Sequence, residues 1–163
     1  MQTIVTIGVY GWTVAGFLDA LREADVDLVV DVRQRRGVRG SEYAWANARR
    51  LEDALTDAGI EYSHHKELAP TTALRQLQYR EDDRLGVGKR SRTELAPAYR
   101  ERYLREILDR VDLAPLVAEL PAESAAALLC VERDPEACHR SLVADRLARE
   151  YDFAVVHLLP DHR

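Results

Sequence analysis

Reactive side chains are densest at residues 130–140, which read Cys-Val-Glu-Arg-Asp-Pro-Glu-Ala-Cys-His-Arg. The Asp-Pro-Glu triplet predicts a helix start, with a capping aspartate and a proline at the first helical position. Cys138 would then lie within the first turn or so, where the helix dipole, Arg133 and Arg140 favour a thiolate. Such a group could act as a nucleophile, or the turn could bind an anion through its backbone N–H groups.

The partners for this chemistry are an acid and two histidines. Glu132 and His139 lie near Cys138 in the sequence and could transfer protons or share the nucleophilic work. His64, one of two adjacent histidines, ends a predicted strand and could supply a general base near neutral pH. A surface position at the strand end is the alternative for one of that pair. Cys130 falls inside an apolar strand and is predicted to belong to the core.

A zinc site built from Cys138, His139 and His64 is a further alternative. The sequence has neither a paired Cys-x-x-Cys motif nor a closely spaced histidine pair on a helix, the spacings typical of such sites. We therefore predict no metal ligands, and the residues indicate no particular cofactor.

Four arginines are candidates for an anion-binding clamp: Arg33, Arg39, Arg133 and Arg140. The planar guanidinium fork suits bidentate contact with phosphate or carboxylate. Because crowded arginines repel one another, Asp31 and Glu132 are expected to orient them by ion pairing. The alternative is that these two carboxylates neutralise Arg33 and Arg140 in a buried network, since unpaired buried charge is costly.

Charge is unevenly distributed along the 163 residues. The formal net charge is −5, yet residues 33–50 carry +5 and residues 75–110 carry +3, which leaves −13 for the rest. All but two of the basic side chains are arginine, which either serves anion binding or reflects arginine-rich codon usage. A nucleotide or nucleic-acid partner therefore stays open, although the acidic average argues against one.

Short apolar runs alternate with amphipathic stretches. The runs predict strands at residues 3–9, 27–32, 60–64, 125–131 and 153–159. Helices are expected after Thr13, over residues 43–58, 95–111 and 113–120, and from residue 134 onward. Residues 66–93 show no clear periodicity and are interpreted as an insertion or lid. We expect one α/β domain over residues 1–163, with residues 66–120 forming an insertion or lid and a helical segment.

This alternation predicts β-α-β units and a mainly parallel sheet of about five strands. In such sheets, ligands bind beyond the carboxyl ends of the strands. The residues that end or follow four of the strands should meet at that edge, namely Gly8, Asp31, Arg33, Arg39, His64 and residues 132–140. This edge is the predicted site.

Common phosphate and sulfur motifs are absent from the sequence. Residues 8–11 lack the three-glycine dinucleotide fingerprint, and no Gly-Lys-Ser/Thr loop occurs. Neither cysteine is followed six residues later by the arginine of a phosphatase-type loop. Asp31-Val32-Arg33 suggests rhodanese-like sulfur transfer, but the run after Cys130 does not resemble a tight loop of backbone donors.

Several segments together resemble a known family. They are Thr6-Ile7-Gly8, Val30-Asp31-Val32-Arg33, Gly59-Ile60-Glu61-Tyr62 and the run from Leu129 to Arg140, continuing through Ala144-Asp145 to Val156-His157. These segments resemble the family called domain of unknown function 488. The resemblance implies a three-layer, Rossmann-like α/β domain without a settled activity. The sequence departs from the family at residues 9–12, where a His-Ser-type pair is usual, and at residues 68–70, where Leu-Gly-Gly is usual.

We predict an enzyme, of the hydrolase or transferase class, that acts on a phosphate-bearing nucleotide or nucleic acid through Cys138, His139 and Glu132. One alternative is a non-catalytic nucleotide or nucleic-acid binding module, and another is a thiol redox or sulfur-carrier protein that uses Cys138. Free cysteines, the lack of a visible signal peptide and the lack of an apolar run of about 20 residues predict a cytoplasmic protein without a membrane span. A homo-oligomer is compatible with the sequence but not indicated.

Overall fold

Five strands form one parallel sheet in the computed structural model, which describes residues 2–160. The strands are β1 (Thr3–Ile7), β2 (Val26–Asp31), β3 (Glu61–His64), β4 (Ala125–Leu129) and β5 (Ala154–Leu158). Their order across the sheet is β3-β2-β4-β1-β5, and every neighbouring pair is parallel. With its helices, the sheet forms a three-layer, Rossmann-like α/β fold, so the predicted fold class is confirmed.

Six α-helices lie within residues 2–160: α1 (Val14–Glu23), α2 (Ala48–Asp57), α3 (Thr72–Leu85), α4 (Pro97–Tyr103), α5 (Ala114–Glu119) and α6 (Arg140–Tyr151). A π-helical stretch, Leu104–Leu108, continues α4, and short 3-10 turns occur at Ala44–Ala46, Lys66–Leu68 and Pro135–Ala137. Thr13 caps α1 as predicted, because its hydroxyl accepts a hydrogen bond from the Gly16 N–H at 3.1 Å.

The central strands explain the continuous apolar runs in the sequence. Every side chain of β4 is buried, and β2 is buried except at Asp27, as expected for strands covered on both faces. Phe17 and Leu21 of α1 and Val143 and Leu147 of α6 supply buried faces of the surrounding helices. The sheet therefore forms a rigid base for the loops at its carboxyl edge.

Two predicted segments before β4 differ from the structure. The helix expected over residues 43–58 is interrupted at Asn47, whose backbone is extended and whose side-chain oxygen accepts a hydrogen bond from the Val38 N–H at 2.7 Å. The segment 66–93, which shows no clear periodicity in the sequence and is predicted to be an insertion or lid, contains α3. The buried face of α3 includes Gln78 and Asp82, so a polar stripe replaces the apolar periodicity that would have indicated a helix.

Backbone hydrogen bonds join the loops at the carboxyl edge of the sheet. The N–H groups of Val9 and Tyr10 both donate to the Val131 carbonyl, at 2.9 and 3.0 Å. The Val32 N–H donates to the Leu129 carbonyl at 3.1 Å. The loops after β1 and β2 are thus both fixed to the chain at the end of β4, which lies between these two strands.

Candidate active site

A cavity of about 820 Å³ opens at this carboxyl edge. Its lining includes residues 33–35 and 37–39 after β2, residues 130–132 and 137–139 after β4, and residues 88–92 after α3. The predicted site residues that line it are Arg33, Arg39, Glu132, Cys138 and His139. Gly8, Asp31, His64, Arg133 and Arg140, also predicted for the site, lie outside the lining.

Two thiols and one imidazole form a compact buried cluster beside the cavity. The Cys130 sulfur lies 3.7 Å from His139 Nδ1, and the Cys138 sulfur lies 3.9 Å from the same nitrogen. His139 Nε2 donates to the Val32 carbonyl at 2.8 Å, which fixes the orientation of the ring. All three side chains are at most 5% exposed. We call Cys130, Cys138 and His139 the Cys-Cys-His cluster.

The local backbone around the two cysteines differs from the prediction. Residues 135–137 form a 3-10 turn, Cys138 is extended with φ −140° and ψ 145°, and α6 begins only at Arg140. Cys138 therefore precedes the helix and does not lie in its first turn. Cys130 belongs to the buried core as predicted, but β4 ends at Leu129, so Cys130 follows the strand and also lines the cavity.

The pKa values of the two thiols in the cluster shift in opposite directions. Burial raises the pKa of the Cys130 thiol well above its usual value. Burial alone would also raise the pKa of Cys138, but the hydrogen bond from Cys130 and the positive charge of His139 hold it well below its usual range. Burial opposes the charged form of His139, yet the Cys138 thiolate raises the pKa of the imidazole. Both shifts favour the charged forms of Cys138 and His139 when the two groups are paired.

Glu132 is held by an arginine that the prediction did not include. Arg92 Nη2 donates to Glu132 Oε1 at 2.7 Å, Nη1 donates to Asp82 Oδ2 at 2.6 Å, and Nε donates to the Ala137 carbonyl at 3.2 Å. These three charged side chains are at most 8% exposed. Burial raises the pKa of Glu132, although Lys89 and Arg92 counteract it. The other oxygen of Glu132 lies 3.6 Å from the Cys130 sulfur.

Arg140 is fully buried and contacts backbone carbonyls. Its Nη1 donates to the Glu132 carbonyl at 2.6 Å and its Nη2 to the Arg133 carbonyl at 3.1 Å. Within residues 2–160 it forms no ion pair with a carboxylate, so the expected pairing with the Glu132 side chain is wrong. Arg140 instead fixes the chain after β4, and its charge helps to lower the pKa of Cys138.

Gly8 packs closely against the Glu132 carbonyl, and this contact leaves no room for a side chain. A Cβ atom there would lie 1.9 Å from the Glu132 carbonyl oxygen and 3.2 Å from Arg140 Nη1. Since the carbonyl belongs to the backbone, it cannot move aside at low cost. Gly8 therefore allows β1 and the chain after β4 to approach each other.

We expect Gly8→Ala to lower the free energy of unfolding by about 1–3 kcal/mol, because the added methyl overpacks this contact. Urea unfolding followed by circular dichroism measures the change. Gly88→Ala is the matched control, since the nearest atom to a Cβ there is the Ser91 hydroxyl oxygen at 4.0 Å. Equal stability of the two variants would contradict the assigned role of Gly8.

Arg33 is engaged by the carboxylate that precedes it. Its Nε and Nη2 donate to Asp31 at 2.9 and 2.8 Å, and its Nη1 donates to the Ala46 carbonyl at 2.9 Å. Asp31 is fully buried and Arg33 is 2% exposed. The Tyr62 hydroxyl also donates to Asp31, at 2.6 Å. The neutralised buried pair, one of the two expectations for Asp31 and Arg33, describes this arrangement.

Two further predicted site residues have structural partners. Arg133 pairs with Asp134 at 2.6 Å and also donates to the Pro160 carbonyl at 3.4 Å. His64 is half-buried, and its Nε2 lies 2.8 Å from the Arg33 carbonyl. The catalytic role predicted for His64 and the anion-binding role predicted for Arg133 remain predictions.

Basic side chains dominate the cavity wall. Of the described residues that line it, Glu132 is the one acid, whereas seven are basic: Arg33, Arg35, Arg39, Arg75, Lys89, Arg90 and Arg92. Within residues 2–160, Arg35, Arg39, Arg75 and Lys89 form no ion pair, and Arg90 lies 3.8 Å from the exposed Glu42. Burial alone would lower the pKa of Lys89, but Glu132 and the smaller effects of the neighbouring tyrosines and Cys130 together raise it above its usual value. We call Arg35, Arg39, Arg75, Lys89 and Arg90 the wall cations.

Sequence reasoning missed most of the wall cations and Arg92. Arg75, Lys89, Arg90 and Arg92 come from the segment without clear periodicity, which gave no sign of which residues would face the sheet. The local excess of positive charge in residues 75–110 was the available signal.

The fold and site define a three-layer α/β protein with a basic cavity and a Cys-Cys-His cluster at the carboxyl edge of its sheet. The family model described as "Domain of unknown function DUF488" matches residues 13–147. The chain belongs to this family, which confirms the resemblance seen in the sequence. No curated protein and no solved structure matches the chain. Within residues 2–160, no helix is both long and apolar enough to cross a membrane.

Proposed function

We propose that this protein is an enzyme, of the hydrolase or transferase class, acting on a phosphate-bearing nucleotide or nucleic-acid substrate. The observation that carries the proposal is the combination of five wall cations with buried Cys138, His139 and Glu132 in one cavity. Concave sites that combine charged anchors with perturbed ionisable groups are the usual location of enzyme chemistry.

The wall cations favour a polyanion over a neutral substrate. Arg39 and Arg35 are exposed at the cavity, whereas Arg75 and Lys89 are half-buried. Guanidinium groups bind phosphate oxygens in bidentate fashion, and the local excess of positive charge attracts anions from solution. Phosphate esters therefore suit this wall.

Aromatic surfaces favour a substrate that also carries a base. Tyr10, Tyr79 and Tyr99 line the cavity. Tyr79 is the half-buried one of the three, and the Arg75 guanidinium lies 5.7 Å from the centre of its ring. The Arg90 guanidinium similarly covers Tyr10, at 5.1 Å. Rings and guanidinium planes of this kind stack on nucleobases. A nucleotide matches both the cations and the rings.

Binding is tested with adenosine and guanosine mono-, di- and triphosphates and with a labelled single-stranded oligonucleotide. We expect binding whose affinity falls as salt increases. Arg39→Gln or Arg75→Gln should weaken it about tenfold or more, because each loses a charge-assisted contact. Arg149→Gln on α6, an exposed arginine outside the cavity lining, is the matched control. Absence of binding to every probe at low ionic strength would overturn the proposal.

Turnover is tested by product chromatography with the same probes. Cys138→Ser, His139→Ala and Glu132→Gln should each reduce the rate about 100-fold or more, the usual loss when a proton-transfer or nucleophilic group is removed. A substrate that all three variants process at the wild-type rate would show that the catalytic assignment is wrong.

A non-catalytic binding module is the second candidate, favoured by the accessible wall cations Arg35 and Arg39. This candidate predicts salt-dependent binding that does not change in Cys138→Ser and is not followed by turnover. The binding and turnover measurements together separate the two functions.

A further inference from the structure

We propose that Cys130, Cys138 and His139 bind one thiophilic divalent metal ion, best matched by zinc, beside the cavity. Their three ligand atoms all lie within 4.8 Å of one another. This site differs from the prediction of no metal ligands and from the alternative set containing His64, because it uses Cys130 in place of that histidine.

The distances within the cluster match a tetrahedral zinc site. Zinc–sulfur bonds of about 2.3 Å and zinc–nitrogen bonds of about 2.0 Å place a sulfur and a nitrogen ligand about 3.5 Å apart. The two sulfur–nitrogen distances here are 3.7 and 3.9 Å. The two sulfurs lie within 4.8 Å of each other, against about 3.8 Å in a tetrahedral site, so side-chain shifts of up to about 1 Å would bring all three atoms to one ion.

The orientation of His139 is the second observation. Its Nε2 donates to the Val32 carbonyl, an acceptor only, so that nitrogen keeps its hydrogen. Nδ1 is then the nitrogen that faces both sulfurs and can offer a lone pair once its proton is released. Metal-binding histidines characteristically donate their other N–H to a carbonyl or carboxylate in this way. The Tyr103 ring, 5.4 Å away, packs against the imidazole.

The chemistry of the ligand set selects the ion. Two thiolates and an imidazole favour zinc and disfavour magnesium or calcium, which prefer oxygen ligands. Two thiolates also neutralise the double positive charge, which suits a buried position. All three ligand residues line the cavity, so a fourth ligand can come from the cavity side, as in zinc sites with three protein ligands.

The metal site shares Cys138 and His139 with the proposed catalytic residues, but metal binding and nucleotide conversion are measured separately. A chain that binds zinc but neither binds nor converts nucleotides would retain this site and refute the enzyme proposal. A chain that converts nucleotides but retains no zinc would support the enzyme proposal and refute the metal site. The two proposals therefore fail in distinguishable ways.

The test uses the full chain purified under reducing conditions, without chelator, and loaded with zinc or cobalt(II). We expect about one zinc ion per chain by mass spectrometry of the metal after gel filtration. Cobalt(II) should produce a thiolate-to-metal charge-transfer band and the intense visible bands of a tetrahedral site. Zinc should also protect both cysteines from alkylation in the native protein and raise the melting temperature.

Cys130→Ser and Cys138→Ser should each lose retained zinc, and the double variant should lose the cobalt charge-transfer band. His65→Ala, which removes a histidine outside the cluster, is the control and should retain zinc. Loss of the cobalt band is scored only in variants whose circular dichroism is native. If they unfold, protection of the wild-type cysteines by zinc, reversed by chelator, decides.

Two results would overturn the proposal. One is a folded wild-type chain that retains no zinc and shows no cobalt charge-transfer band. The other is a Cys130–Cys138 disulfide that persists under reducing conditions while no metal is taken up.

Discussion

Asp31→Asn is expected to lower the free energy of unfolding by about 3–5 kcal/mol, because it leaves the buried Arg33 guanidinium without its counterion. Asp31 accepts hydrogen bonds from the Arg33 backbone N–H, the Arg33 side chain and the Tyr62 hydroxyl. An asparagine amide would also direct donor hydrogens at some of these donors. The lost charge and the mismatched hydrogen bonds both lower the free energy of unfolding.

Chemical unfolding followed by tryptophan fluorescence and circular dichroism measures this loss. Asp19→Asn is the matched control, since the Asp19 and Arg22 side chains are 67% and 56% exposed and their ion pair has a 3.5 Å separation. Exposed pairs contribute about 0–1 kcal/mol. If Asp31→Asn costs no more than Asp19→Asn, the buried pair is not a main support of the loop after β2.

The carboxyl edge of the sheet could be predicted because its geometry follows from strand direction alone. Once alternating strands and helices indicate a parallel sheet, residues after different strands must meet at one edge. Arg33, Arg39, Glu132, Cys138 and His139 line one cavity for this reason. Their placement at one edge could therefore be predicted without knowing any side-chain contact.

The place of Cys130 in the cavity lining could not be predicted because strand ends are poorly marked by apolar runs. Residues 125–131 are apolar throughout, yet the strand ends at Leu129. The observed strand end lies two residues before the predicted one. An error of this size decides whether Cys130 is placed within a strand or in the loop after it, and propensity does not locate a strand end to within two residues. The backbone of Cys138 was missed similarly, because a 3-10 turn and a helix share the same start signals.

The partners of the buried charges could not be predicted because several arrangements satisfy the same residues. Arg140 is neutralised by no carboxylate within residues 2–160 and donates to two backbone carbonyls instead. Glu132 pairs with Arg92, 40 residues earlier in the chain. Sequence spacing carries no information about which of these contacts forms, since the Arg140 contacts depend on the path of the chain after β4 and the Arg92 contact on how α3 and the loop after it dock.

That docking is polar, which bears on whether the segment after β3 is an insertion or a lid. Gln78 of α3 donates to Asp82 at 2.8 Å and accepts from the Ala96 N–H at 2.9 Å. The Leu95 N–H donates to the Glu136 carbonyl at 2.9 Å. Buried polar networks of this kind rigidify a contact when every member is satisfied. A fixed segment anchored at Arg92 is the arrangement that these contacts favour.

Arg92→Met should therefore lower the free energy of unfolding by about 3–5 kcal/mol, because it leaves Asp82 and Glu132 as two buried carboxylates without their shared cation. Both are bound to Arg92, at 2.6 and 2.7 Å. Methionine fills much of the arginine stem's volume, so the loss reports the charge contacts more than a cavity. Arg105→Met, at an arginine side chain 59% exposed in a pair with Glu101, is the control and should cost less than about 1 kcal/mol.

The double variant Arg92→Met with Asp82→Asn distinguishes a charge network from simple packing. If unpaired charge dominates, removing the Asp82 charge from the Arg92→Met chain recovers part of the lost stability, although Asp82→Asn alone is destabilising. The Gln78 amide can still donate to the asparagine carbonyl, so that contact is retained. Such non-additivity is the signature of residues in one network. Additive losses, measured by chemical unfolding of all four chains, would mean that Arg92 anchors the segment through packing and not through its two carboxylates.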